Sequence, residues 1–139
     1  MTALAQERLT DFYGVVPARR TVPVKAATKG YKGGMVGIDS SGNAMPAGLL
    51  AGGTVRVVGK AESSYDNSAG AAGDISVVAS PGVYKFLNHG ADLVTAADVG
   101  ADCYVVDDQT VAKTSGTNTR AVAGKVQQVD SDGVRVFIP

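Results

Sequence analysis

Apolar, β-branched residues come in short bursts along this chain, and the bursts are densest in its last third. Cys103-Tyr104-Val105-Val106, Ala121 to Val126 and Val134 to Ile138 are three such runs. Between and before them stand Asp107-Asp108-Gln109, Thr114 to Asn118 and Asp130-Ser131-Asp132-Gly133. Asp, Asn, Ser and Gly accept positive φ and bond their own backbone, which tight turns require. Runs of this kind bounded this way predict an antiparallel meander over Val83 to Pro139.

Upstream the same alternation continues less regularly. Val22 to Ala27 predicts a first strand, and Met35 to Ile38 a second, turning at Asp39 to Asn43. In Thr54 to Gly59, Val55 and Val57 face one way and Thr54, Arg56 and Val58 the other, the two-residue period of a strand. Asp74 to Ala79 and Val83 to Leu87 predict two more strands on either side of Ser80-Pro81-Gly82. Lys29 to Gly34 reads as a Gly-rich turn, and Glu62 to Gly73 as a long surface loop without structure of its own. Thr95-Ala96-Ala97-Asp98 has the spacing of a capping box, which predicts one helical turn near 95–99, stopped by Gly100. No repeat of solenoid period is visible.

Ahead of residue 22 the pattern changes. Thr2 to Thr10 could form a short helix, with good helix formers from Ala3 to Leu9, but is too short to hold a helix alone in water. Phe12 and Tyr13 follow, and then Gly14, Pro17 and Pro23 favour an extended chain. Residues 1–21 are therefore expected to be an N-terminal arm, and residues 22–139 a single β domain. Composition agrees: 139 residues, 18 Gly and no Trp suit a small all-β antiparallel barrel or sandwich.

The net charge is zero, from 13 basic and 13 acidic residues, so no global field draws the chain to nucleic acid or membrane. Its distribution is uneven. Residues 1–32 carry six basic side chains against Glu7 and Asp11, while the remainder is correspondingly acidic. A basic arm on an acidic body points to an arm that meets a neighbouring copy or another protein. Arg8, Phe12, Tyr13, Arg19 and Arg20 are its candidate contact residues, since aromatic and Arg side chains anchor interfaces.

Candidate chemistry is sparse. The single His89 lies in a turn, with no metal-ligand partner at the right spacing. Lys29 to Gly34 lacks the pattern of a phosphate loop. Asp107-Asp108 reads as a turn rather than an acid/base pair, because adjacent strand residues point to opposite faces. Asp130 to Gly133 begins like a calcium loop but has no closing Glu. Cys103 is expected to be a small buried hydrophobe, and the absence of a possible internal disulfide suits a reducing cytoplasm. No run approaches the ~18 apolar residues of a membrane span, and MTALAQERL has no signal-peptide core. Neither an enzyme nor a cofactor or metal site is expected.

Several pieces, in their order, resemble a family of tailed-phage head proteins. These are GVYKF.N from Gly82, T.ADVG from Thr95, YVVDDQTV from Tyr104, and AGKV..VD.DGV.V.I from Ala123. The family is the small capsid decoration, or cement, proteins, and the resemblance covers roughly residues 55–139. It implies a β-barrel-like or tulip-like domain, usually trimeric, on the outside of the shell at local three-fold axes. There it would clamp neighbouring copies of the major capsid protein after the shell expands, a structural virion role with no catalytic residue. The protein would be made in the bacterial host cytoplasm, with no direct contact to nucleic acid or membrane. A tail or head-closure component, or a receptor- or glycan-binding module on the particle, are the alternatives. The last would need an aromatic platform, and only eight aromatic residues exist.

Overall fold

The computed structural model describes residues 5–6, 18–48 and 53–139. Twelve strands account for about half of the described residues, with one 3-10 turn at Ala96–Asp98. They are β1 (Arg20–Pro23), β2 (Thr28–Gly30), β3 (Met35–Ile38), β4 (Ala44–Pro46), β5 (Arg56–Ala61) and β6 (Tyr65–Asn67). The remainder are β7 (Ser76–Ser80), β8 (Gly82–Asn88), β9 (Asp102–Asp107), β10 (Thr110–Ala112), β11 (Val122–Asp130) and β12 (Gly133–Ile138). The fold is all-β, as the bursts of β-branched residues require.

β8 to β12 close into a barrel in the order β10-β8-β12-β11-β9. The three C-terminal runs supply β9, β11 and β12, and the Asp130–Gly133 turn is the β11–β12 hairpin. Closure itself is not antiparallel: β10 lies parallel to β8, with Leu87 N–H donating to Gln109 O at 2.8 Å and His89 N–H to Val111 O at 2.9 Å. Closing leaves no sheet edge free for unwanted pairing. The interior is filled by Phe86, Cys103, Val105, Val111, Val126, Val134, Val136 and Ile138.

The first half repeats that strand order in a less complete barrel, a five-stranded sheet closed by one isolated bridge. β1, β3, β4, β5 and β7 form a sheet in the order β1-β7-β5-β3-β4, and its outer strands meet at a parallel bridge between Val24 and Ala44. Number the strands of each set one to five in chain order. In both, one pairs with five, five with four, four with two, and two with three, all antiparallel. In both, three returns to one in parallel.

The agreement extends to a bulge. Between β3 and β5 the register slips from Val36↔Gly59 to Gly37↔Val57, which leaves Val58 over. Between β9 and β11 it slips from Cys103↔Gly124 to Tyr104↔Val122, which leaves Ala123 over. The glycine beside each bulge is packed against the neighbouring strand. A Cβ on Gly59 would sit 2.8 Å from Ser80 N, and one on Gly124 would sit 2.3 Å from Phe137 O. Val57-x-Gly59-Lys60 and Val122-x-Gly124-Lys125 are thus the same local structure repeated 65 residues later.

The two barrels are joined through Pro81 alone, between β7 and β8. Their interiors are distinct clusters, the first built on Val22, Val24, Val36, Ala44, Ala61, Val77 and Ala79. They are not independent, because Met35 and Ala47 from the first half are buried in the second cluster, with Val57 packed on it. Val57 and Val58 diverge as the two-residue period predicts, Val57 toward the second cluster and Val58 toward the first.

Two expectations are corrected. The first strand begins at Arg20 rather than residue 22, so Arg20 and Thr21 are sheet residues paired with Ala79 and Val78, not part of an arm. Glu62 to Gly73 is not structureless: Tyr65–Asn67 pairs antiparallel with Thr28–Gly30, and Tyr65 and Asn67 are buried. The polar letters hid this strand because Asn67, one of its two buried side chains, hydrogen-bonds instead of being apolar. Asn67 Nδ2 donates to the carbonyls of Val24 (3.3 Å), Lys25 (3.1 Å) and Ala71 (2.9 Å), capping backbone where β1 ends. Asn67→Ala leaves the Lys25 carbonyl without its donor, while Val24 O and Ala71 O keep only the N–H groups of Gly73 and Asp74; it is expected to cost about 2 kcal/mol, read as a lower urea midpoint at unchanged slope.

Candidate interaction surface

The five residues singled out on the arm do not share one fate. Arg8, Phe12 and Tyr13 lie outside the described residues. Arg19 is well exposed and approaches Glu62 at 4.0 Å. Glu62 also pairs with Lys60 at 3.1 Å, and the nearby Ser80 hydroxyl and the Lys60 ammonium hold its carboxyl below the usual range. Lys60 in turn stands 5.2 Å from the centre of the Tyr84 ring, a geometry in which the ring face attracts the ammonium. Arg20 stays exposed but is tied down: Nη1 donates to Val58 O at 2.6 Å and to Pro139 O at 3.0 Å. Its guanidinium ties the bulge of the first barrel to the end of the second, so the segment before it departs from a fixed point.

A groove of about 290 Å³ opens on the β2–β6 ribbon, lined by Lys29, Gly30, Tyr31, Ser64, Tyr65 and Asp66. Gly30 is required there, since a Cβ would sit 2.3 Å from the Tyr65 ring. Burial, with a smaller push from Asp108, raises the Tyr65 phenol to about 12, so it stays neutral. Asp66 is held low by hydrogen bonds from the Ser68 hydroxyl and backbone. Tyr31 is 63% exposed at the rim. The groove offers one cation, one anion and an aromatic edge.

The outer face of the second barrel carries two kinds of surface. At one end, Asp130 accepts from Arg135 Nε (2.8 Å) and Gln128 Nε2 (2.8 Å), and Lys85 lies 3.2 Å away and 2.9 Å from Asp132. Those bonds, Arg135 first, lower the Asp130 carboxyl. Next to this network the register brings Val83, Phe137, Lys125 and Asp102 into one row, with Val122 and Tyr104 paired beside it. Lys125 and Asp102 are bridged at 2.6 Å, while Val83 and Val122 are 51% and 41% exposed.

The residues weighed for chemistry occupy structural positions. Asp107 Oδ1 accepts from Gln109 N–H at 2.9 Å, the turn bond of the β9–β10 hairpin. The Asp108 carboxyl is raised by burial and then by Asp107, and its carbonyl accepts from Met35 N–H across the two barrels at 2.8 Å. Asp98 accepts from Thr95 N–H at 2.8 Å in the capping arrangement read from the sequence. Cys103 is fully buried, and burial pushes its thiol up to about 12. Among the described residues no group of three or more His, Cys, Asp or Glu side chains is placed to hold a metal, and no helix is long and apolar enough to cross a membrane.

Sequence reasoning missed both the groove and the apolar row. The groove had a signal, the alternation of Tyr65, Asp66 and Asn67, but its polar letters resembled a loop. The apolar row had none, because Val83 and Val122 read like any strand valine until the neighbouring strands are placed. No family model, curated protein or solved structure matches this chain.

Proposed function

We propose that the protein is a structural virion component that binds the outside of a tailed-phage capsid and stabilises the expanded shell. The observation that carries the reading is where the resemblance falls. The segments GVYKF.N, T.ADVG, YVVDDQTV and AGKV..VD.DGV.V.I are β8, the 3-10 turn, the β9–β10 hairpin and the β11–β12 hairpin. Together they make up the second barrel, and the wider resemblance over residues 55–139 also takes in β5 to β7. Its partners are the major capsid protein and copies of itself, as a trimer at local three-fold axes.

The physics suits such a clamp. A protein that binds only the expanded lattice stabilises that lattice by mass action. Three linked subunits raise the effective concentration of each contact, so weak individual contacts suffice. The arm supplies anchors in Arg8, Phe12, Tyr13 and Arg19, leaving from the point that Arg20 fixes beside both barrels. An extended segment of this kind adds itself to an exposed edge or groove of its partner.

Deleting residues 1–18 tests the arm without touching β1. Binding to expanded shells is expected to fall at least ~10-fold, about 1.4 kcal/mol, while far-UV circular dichroism and the melting temperature stay unchanged. Undiminished binding by the truncated protein would remove the arm from the account.

A further inference from the structure

The two barrels repeat one plan, yet one face of that plan is covered in the first and bare in the second. We infer that the bare face of the second barrel, Val83, Tyr104, Val122 and Phe137 around the Lys125–Asp102 pair, is a docking surface for the first barrel of a second copy of this chain.

The shared register sets the equivalences. Gly59 and Gly124 anchor them, with Lys60 matching Lys125 and Val57 matching Val122. Met35 then matches Asp102, and Gly37 matches Tyr104. From the pairing of Lys60 with Ser80 and of Lys125 with Phe137, Ser80 matches Phe137. The route through the hairpins gives the same answer as the route through the parallel closures: both place Ala44 with Val111.

On the first barrel this outward face is used inside the chain. Met35, which alternates away from its own interior residue Val36, is 1% exposed and sits in the second barrel's cluster. Val57 packs on the same cluster, Ser80 is 7% exposed, and Lys60 faces Tyr84. On the second barrel the matching positions are more open, and Lys125 and Asp102 pair with each other. Val122 is 41% exposed where Val57 is covered, and Phe137 and Tyr104 are half-buried where Ser80 and Gly37 are buried. Val83 extends the row and is 51% exposed.

The face is also richer in apolar and aromatic groups than its covered counterpart. A contiguous row of this kind beside one ion pair is the composition of an interface core with a polar edge. The occupant follows from the contact already present. In the chain, a first-barrel face receives a whole barrel of the same topology. The partner of the equivalent face is therefore another such barrel, and the first barrel of the same chain is already engaged with its second through Met35, Val57 and Lys60. The first barrel of the next copy is the one that remains, so contacts run head to tail. A head-to-tail contact makes a ring when its rotation closes. This rests on the self-association in the proposed function, and three copies would make a ring of six similar barrels.

Sedimentation equilibrium of the full chain tests this, alone and as Val122→Asp and Val83→Asp, with Val99→Asp as an exposed apolar control just after the 3-10 turn. Both positions are exposed, so circular dichroism is expected to stay that of the wild type. The wild type and V99D are expected to be multimers, and V122D and V83D to associate at least tenfold more weakly. A monomeric wild type, or V122D and V83D with wild-type mass, would overturn the inference. A monomer that still co-sediments with expanded shells would sink this docking surface and leave the capsid reading standing. A multimer that V122D breaks but that binds no shell would do the reverse.

Discussion

Gly124→Ala is expected to lower stability by about 3 kcal/mol, with a fall in melting temperature of roughly 10 °C. The added Cβ would stand 2.3 Å from Phe137 O and 2.9 Å from Val136 Cγ1. The nearer of these is backbone of the paired strand, so β11 and β12 must separate or shift to admit a methyl group. Gly59→Ala is expected to behave alike, since its Cβ would stand 2.8 Å from Ser80 N and 2.9 Å from the Ala79 carbonyl carbon. Gly90→Ala is the control: nothing lies within 4 Å of its Cβ, and the change should stay within about 0.5 kcal/mol. Thermal melts of the three variants check the set. Equal, small effects would mean that the two bulges are not the tight crossings described here.

Met35→Ala is expected to cost about 3 kcal/mol, as large-to-small changes in a closed core do. Its side chain leaves the first barrel and fills space among the interior residues of the second. Removing it therefore strips packing from one barrel through a strand that belongs to the other. The whole unfolding transition should move to lower denaturant as one step with an unchanged slope. Two separated transitions in the wild type, only one of them sensitive to Met35, would show barrels that stand independently.

Much of the fold is legible in the residues. Cys103 to Val106, Ala121 to Val126 and Val134 to Ile138 appear as strands because each alternates or stays apolar between strong turn formers. Asp107, Asp130 and Asp39 mark real turns, the last accepting from Ser41 and Asn43 N–H at 2.9 Å each. The tandem plan is another matter. The fourth and fifth strands are joined across 62–75 in the first barrel but only across 131–132 in the second. The offset between matching strands therefore drifts, and no fixed period survives in the sequence. What does survive is one short echo, Val57-x-Gly59-Lys60 against Val122-x-Gly124-Lys125, held because both sites need the same bulge and the same absent side chain.

The interaction surface was less legible for a physical reason. Whether a strand valine is core or surface depends on which face its neighbours leave open. Val57 and Val122 hold equivalent places, yet only the second is bare. Arg20 shows the converse. As a basic residue beside two prolines it resembles part of an arm, and its donors are instead taken by the Val58 and Pro139 carbonyls.

The most direct test of the capsid account mixes the purified protein with unexpanded and expanded shells of the major capsid protein from the same genome. The shells are pelleted and bound copies counted from band ratios. Saturable binding to expanded shells alone, in multiples of three per local three-fold axis, is the predicted result. Failure to pellet with either form, or equal binding to both, would contradict it.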